Sequence, residues 1–325
     1  MSGTVFISLF DTFISAYPAL FDEFKKKGLS VTSKCTSEPL TEKELIPCVK
    51  DADALVVGLG EYNRNVVYAA QKAKIIAAYG VGYNHIDLQA ATERNIAVTN
   101  APGANARSTA ELAIGLMLNI SRSIVQSHNL MHQNKWYSFS GNELTGKTLG
   151  IIGTGKVGLE LARIAFNGFN MKILAYDIFE NSNITEECRG VYVDLDQLYR
   201  TSDYISIHLP HNKQTVGFIS SEQIKLMKST AILINVARGG IVDENDLYEA
   251  LRNKAIAGAG LDVYTHEPPI DKKILQLDNI ITTSHIGGST KEAVKNIGDV
   301  TVDNVCGVLL NGERAKHCVN PEIYN

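Results

Sequence analysis

What this sequence lacks narrows it first. Its charge is nearly balanced, 31 lysines and arginines against 35 aspartates and glutamates, so it has no basic surplus with which to hold nucleic acid or an anionic membrane. Small molecules are the expected partners. Its five cysteines, Cys35, Cys48, Cys188, Cys306 and Cys318, are odd in number and nowhere form a CxxC pair, which argues against a disulfide framework or a zinc site and for a reducing compartment. No stretch reaches 18 uninterrupted apolar residues, and "MSGTVFISLF" at the start has neither a basic leader nor a long apolar run. A cytoplasmic protein without a membrane span is expected. Low-complexity tracts and short repeats are also missing.

What is there suits a large core. Of the 325 residues 45% are hydrophobic, and a chain this long divides into about two domains. Short β-branched runs recur with helix-length segments between them: "VFISLF" (5–10), "ALVVG" (54–58), "KIIAAY" (74–79), "TLGIIG" (148–153), "KILAYD" (172–177), "YISIHL" (204–209), "AILINV" (231–236), "AGAGLDVY" (257–264) and "NIITTSH" (279–285). That alternation predicts βαβ units and parallel sheets, an α/β fold of two doubly wound domains. "NAPGAN" (100–105) punctuates the chain before a long helical stretch. The boundaries expected are 1–100 with 290–325 for one domain and 101–289 for the other, the helix after residue 290 crossing back to the first. Hinges are expected near 100–105 and 285–292.

"TLGIIGTGKVGLELARIA" sets Gly153, Gly155 and Gly158 between a strand and a helix. The first glycine permits a tight turn, the second lets backbone approach a pyrophosphate, and the third allows close helix packing, while the helix N-terminus offers amides and a positive dipole end. Asp177 follows 19 residues after the third glycine, at the end of the next strand. A carboxylate there accepts from ribose hydroxyls and repels a 2′-phosphate, and Ile178 supplies no compensating cation, so NAD is expected rather than NADP.

Three chemistry-bearing residues stand just past strands of the same sheet: Arg238 after "AILINVA", Glu267 in "THEPP" and His285 after "NIITTS". Carboxyl ends of neighbouring parallel strands lie close enough for such residues to converge. A guanidinium binds a carboxylate bidentately and polarises an adjacent carbonyl. Histidine exchanges a proton near neutrality, and a carboxylate bonded to it fixes its tautomer.

At this point the chain resembles the D-isomer-specific 2-hydroxyacid dehydrogenase family, which includes phosphoglycerate, glyoxylate/hydroxypyruvate and D-lactate dehydrogenases. The similarity covers nearly the whole chain and is densest in "ELTGKTLGIIGTGKVG", "ISIHLP", "LINVARGGIVDENDLYEAL", "GAGLDVYTHEPP" and "TSHIGGST". The resemblance implies a Rossmann NAD-binding domain inserted in a flavodoxin-like substrate domain, with Arg238, Glu267 and His285 catalytic. It implies cofactor contacts at Gly153, Gly155, Lys156, Val157, Gly158, Asp177, Leu209, Pro210, Thr215, Val236, Ala237, Asp262 and Gly287, with Asp262 near the nicotinamide carboxamide. It places the substrate carboxylate at the backbone of Val81 and Gly82, together with Arg238 and His285. It also implies a homodimer, which makes Trp136 in "NKWYSF" either a core residue or, the favoured reading, a dimer contact.

Plainer readings stand beside these. Taken singly, Arg238 is a cap or ion-pair residue, Glu267 a solvated loop charge and His285 a structural histidine; the three-strand pattern favours the site. His128 and His132 have the i, i+4 spacing of a zinc helix, but Asn129 replaces the glutamate of HExxH and no third ligand is visible, so no metal is expected. "HLPH" reads as a strand end with Pro210 in a turn.

For the substrate, the resemblance points first toward phosphoglycerate dehydrogenase. Yet Gly58 and Ala78 occupy places where phosphoglycerate enzymes commonly carry arginines for the phosphate, and the sequence ends at residue 325 without the extension some of them have. Arg64 or Arg107 could reach in from nearby to substitute. The expected substrate is a small unphosphorylated 2-oxo or D-2-hydroxy acid, such as hydroxypyruvate or glyoxylate, in a pocket shaped in part by Tyr79 and Tyr83. A corepressor-like NAD(H)-binding protein is the alternative of another class, and a methyltransferase is disfavoured because the triad would have no task.

Overall fold

The computed structural model describes residues 3–58 and 60–325. They fall into two compact units, Met1–Asn105 with Gly288–Asn325, and Ala106–Gly287.

The first unit holds five parallel strands, β1 (Thr4–Ser8), β2 (Ser30–Ser33), β3 (Ala54–Val57), β4 (Ile75–Ala78) and β5 (Ala97–Thr99), in the order β2-β1-β3-β4-β5. β3 and β4 are buried along their whole length, which is why they read as unbroken apolar runs rather than alternating ones. One face packs Val5, Ile7 and Val56 against Val294, Ile297 and Val305 of the helix Lys291–Asn311. The C-terminal segment therefore completes the core of the unit that begins the chain.

The second unit holds seven, β6 (Thr148–Ile152), β7 (Lys172–Tyr176), β8 (Val191–Tyr192), β9 (Tyr204–Ile207), β10 (Ile232–Asn235), β11 (Gly258–Leu261) and β12 (Ile280–Thr282), again parallel, ordered β12-β11-β10-β9-β6-β7-β8. The helix Ala106–Arg122 lays Ala110, Ala113 and Met117 on the Ile232 and Ile234 side of this sheet. Register makes Ile207, Asn235 and Leu261 neighbours in one row, and Leu261 pairs onward with Thr282. The residues that follow each strand thus leave the sheet along one edge.

Three strands have no counterpart among the runs read from sequence. β2 is mostly exposed and polar, β5 is three residues long and β8 two; a strand so exposed or so short carries little hydrophobic signature. β11 and β12 also stop earlier than their sequence runs, at Leu261 and Thr282, because the chain beyond turns into the loops described next. Among the described residues no helix is long and apolar enough to cross a membrane.

Candidate active site

The glycine turn lies between β6 and the helix Lys156–Phe169, with Gly155 as N-cap and no side chain capping the helix. Gly153 takes φ 97°, and a Cβ on Gly158 would fall 2.1 Å from the Gly153 carbonyl oxygen. Nothing but glycine fits there. A Cβ on Gly155 would meet no atom within 4 Å, so its backbone faces open space. Lys156 and Val157 form the first turn. Asp177 stands after β7, Oδ2 accepting from the Thr154 amide at 2.6 Å and Oδ1 from the Phe179 amide at 3.1 Å. These residues fit a dinucleotide: a side-chain-free approach to a helix N-terminus, with a carboxylate at the end of the adjacent strand. Beside the turn, Thr215 is buried and donates to the Pro210 carbonyl at 2.6 Å, closing the loop that Leu209 begins.

Arg238, Glu267 and His285 emerge from consecutive strands. The imidazole Nδ1 of His285 lies 2.6 Å from Oε2 of Glu267, and Oε1 accepts from the Tyr264 amide at 3.1 Å. Burial works to raise the Glu267 carboxyl, but the His285 hydrogen bond, the Tyr264 amide and the Arg238 charge outweigh it and hold it below the ordinary carboxylate value. An ionised carboxylate only accepts, so Nδ1 carries the proton and Nε2 is left for other chemistry. Arg238 is half-buried; desolvation draws its guanidinium below the usual value while the Glu267 charge opposes this.

Two buried polar side chains that sequence reading did not place in these roles shape the loops. Asn235, the last residue of β10, accepts from the Ala237 amide at 3.1 Å and donates to the Arg238 carbonyl at 2.9 Å. Its one sequence signal is an Asn two residues before the amide it binds, the spacing of an Asx turn. Asp262 is buried, and its carboxylate accepts from Thr283 Oγ1 at 2.6 Å and from the Ile286 and Gly287 amides, each at 2.8 Å. All these donors come from the loop that carries His285, which itself sits in the left-handed region at φ 54°. Gly287 is gripped from its other side, its carbonyl accepting from Ser108 Oγ at 2.6 Å and Thr109 Oγ1 at 3.2 Å. Val236 and Ala237 are buried in the turn between.

Gly239 makes the tightest crossing, since a Cβ there would lie 1.8 Å from the Tyr264 carbonyl oxygen. The Arg238 loop therefore runs directly against the segment whose amide holds Glu267. A cavity of about 460 Å³ opens near these strand ends, lined by Gly240, Glu244, Thr265, His266 and others. None of Arg238, Glu267 and His285 lines it.

Val81 and Gly82 belong to the other unit, just past β4, where the Val81 carbonyl accepts from Asn100 Nδ2 at 2.7 Å. Tyr79 is 7% exposed, and its hydroxyl donates to the Val294 carbonyl at 2.9 Å. The helix Lys291–Asn311 captures it because it packs across β4. The two arginines that could have received a phosphate are engaged elsewhere. Arg64 is paired with Glu93 and bonded to the Tyr68 hydroxyl, and Arg107 pairs with Glu111 at 2.7 Å and Glu160 at 3.5 Å. The His128 and His132 rings lie edge to face, 4.3 Å apart, on an exposed helix.

Residues 114–287 match the model of the D-isomer specific 2-hydroxyacid dehydrogenase NAD-binding domain. The chain is 44% identical over 285 residues to a D-3-phosphoglycerate dehydrogenase of Methanocaldococcus jannaschii, covering 86% of this chain and 54% of that one. It is 43% identical to a hydroxypyruvate reductase of Thermotoga maritima over 277 residues, covering 83% of this chain and 89% of that one. A solved D-lactate dehydrogenase from Aquifex aeolicus, complexed with NAD and lactic acid, superposes with a TM-score of 0.83 at 28% identity, covering 96% of this chain and 98% of that one. This chain belongs to the D-isomer specific 2-hydroxyacid dehydrogenase family, and its second unit is the family's NAD-binding domain. It spans about half the length of the phosphoglycerate dehydrogenases it matches, at 54% and 56%.

Proposed function

We propose that this chain is an NAD-dependent oxidoreductase that interconverts a small, unphosphorylated D-2-hydroxy acid and its 2-oxo acid, hydroxypyruvate or glyoxylate being the type. The observation that carries the reading is the 2.6 Å His285–Glu267 pair beside Arg238, on the same strand ends as the glycine turn. Bound NAD(H) supplies or accepts the hydride at the substrate's second carbon. In reduction, protonated His285 gives a proton to the carbonyl oxygen through Nε2, and in oxidation the neutral imidazole takes it back from the hydroxyl. Glu267 holds the tautomer and offsets the imidazolium charge. Arg238 anchors the carboxylate and draws electron density from the neighbouring carbonyl. Gly153, Gly155, Lys156, Val157, Gly158, Asp177, Leu209, Pro210, Thr215, Val236, Ala237 and Gly287 hold the cofactor. Asp262 supports the same site by closing the loop beneath His285.

The engagement of Arg64 and Arg107 with carboxylates supports the unphosphorylated substrate, because a phosphate would have to displace an existing partner to recruit either. The 44% identity to a phosphoglycerate dehydrogenase supports the second reading, 3-phosphohydroxypyruvate. Initial rates of NADH oxidation with hydroxypyruvate, glyoxylate, pyruvate and 3-phosphohydroxypyruvate decide between them. A higher kcat/KM for the phosphorylated acid overturns the first reading, and NADH binding without turnover of any of the four favours a binding protein instead.

The working form is a homodimer. The helix Ile124–His132 buries no residue, and Met131, Trp136 and Tyr137 stand exposed in and beside it, Trp136 at 87%. A monomer rarely leaves such a run of large apolar groups in water. Unpaired cysteines agree with a cytoplasmic site of action.

A further inference from the structure

We propose that Asn235 is a positioning residue that fixes the direction in which Arg238 leaves the backbone; this rests on the dehydrogenase reading above. The carboxamide is 2% exposed and spans the turn that follows it. Three successive peptide groups are pinned there. The Ala237 amide donates to Asn235 Oδ1 at 3.1 Å, the Ala237 carbonyl accepts from the Arg238 guanidinium at 2.6 Å, and the Arg238 carbonyl accepts from Asn235 Nδ2 at 2.9 Å.

The last two of those groups flank the Arg238 Cα. Asn235 thus holds the peptides before Ala237 and after Arg238, and the peptide between them is closed by Arg238's own guanidinium, so the carboxamide limits the φ and ψ open to Arg238 and with them its Cα–Cβ direction. Asn235 is itself fixed, because its carbonyl accepts from the Asp262 amide at 3.0 Å and it pairs in register with Ile207 and Leu261. Carboxylate recognition by a guanidinium fork depends on orientation more than on charge alone. An apolar residue at 235 could continue β10, but it would leave Arg238 free to swing.

Two variants separate positioning from mere packing. Asn235→Ser keeps a hydroxyl able to accept from the Ala237 amide in the manner of an ST turn, but it is too short to reach the Arg238 carbonyl. Asn235→Ala loses both bonds. Each is compared by KM for the preferred 2-oxo acid, by NADH affinity from fluorescence, and by affinity of the NADH complex for oxamate, an unreactive 2-oxo acid analogue. Thermal unfolding reports whether each variant is folded.

The expected result for Asn235→Ser is a KM and an oxamate Kd raised about tenfold, with NADH affinity within about twofold. In an Arg238→Ala background the same substitution should change oxamate affinity less than about twofold. Unchanged oxamate affinity in Asn235→Ser overturns the proposal, and so does an equal loss in both backgrounds, which is the signature of a purely structural residue. The dehydrogenase reading fails separately, if Arg238→Ala alone retains wild-type turnover and oxamate affinity.

Discussion

His285 and Glu267 meet across the ends of neighbouring strands with 2.6 Å between Nδ1 and Oε2, although 18 residues separate them in sequence. The glutamate is in turn held by the Tyr264 amide, so the imidazole is oriented by a group that is itself oriented. Glu267→Gln keeps the volume and removes the charge. Turnover of the 2-oxo acid should fall about 100-fold while NADH affinity changes little, and His285→Ala should lose at least as much. Steady-state kinetics with parallel NADH titrations check both.

Asp177 closes the turn at Thr154, and in the proposed NAD site its charge would meet a 2′-phosphate. Replacing it by serine removes that repulsion together with the carboxylate acceptor. The ratio of kcat/KM with NADH to that with NADPH should fall at least about tenfold in Asp177→Ser. A ratio that does not move would show that the carboxylate has no part in choosing the cofactor.

A methyl group on Gly158 would fall 2.1 Å from a backbone oxygen that cannot move without opening the turn. Gly158→Ala should therefore weaken NADH binding by more than about tenfold and lower stability by about 1–3 kcal/mol. Fluorescence titration and urea unfolding give the two numbers.

Two histidines make stability depend on pH. Burial draws His85 down to about 4 and His208 down to about 3, and each keeps one ring nitrogen buried without a partner. In the unfolded chain both take a proton near pH 6.5. Between that value and about 4 the unfolded state binds more protons, so stability is full above pH 6.5 and is lost as pH falls. The slope should approach 1.4 kcal/mol per pH unit for each histidine, on the order of the linkage limit. Urea midpoints at pH 7, 6 and 5 measure it, and His85→Leu should flatten the curve.

If the exposed run around Trp136 is the surface of a dimer, Trp136→Ser with Met131→Ser should shift the protein toward half its native mass. Sedimentation of both forms at micromolar concentration decides it. A wild-type protein that is already monomeric would set the proposal aside.

The parallel architecture was legible because fully buried strands leave dense apolar runs, and β3, β4, β9 and β10 all do so, with β6 buried in all but its first residue. Strands β2, β5 and β8 were not, being short or exposed. That Arg238, Glu267 and His285 follow successive neighbouring strands could be read from their places in the sequence, since parallel pairing brings such places together. Asp262 could not be read in its observed part, because its partners Thr283, Ile286 and Gly287 lie 21 to 25 residues away and nothing local marks the pairing. Nor could the fate of Tyr79 be foreseen: its hydroxyl is taken by Val294, 215 residues further along the chain. Long-range capture of a polar group is set by packing, and packing leaves no short-range pattern.

The crossing at Gly239 bears on how this site can change over generations. With 1.8 Å between a would-be Cβ and the Tyr264 carbonyl oxygen, any side chain at 239 would force apart the segments that carry Arg238 and Glu267. Position 239 is therefore closed to substitution, and the loops that carry the cation and the carboxylate keep their close approach only while it stays glycine.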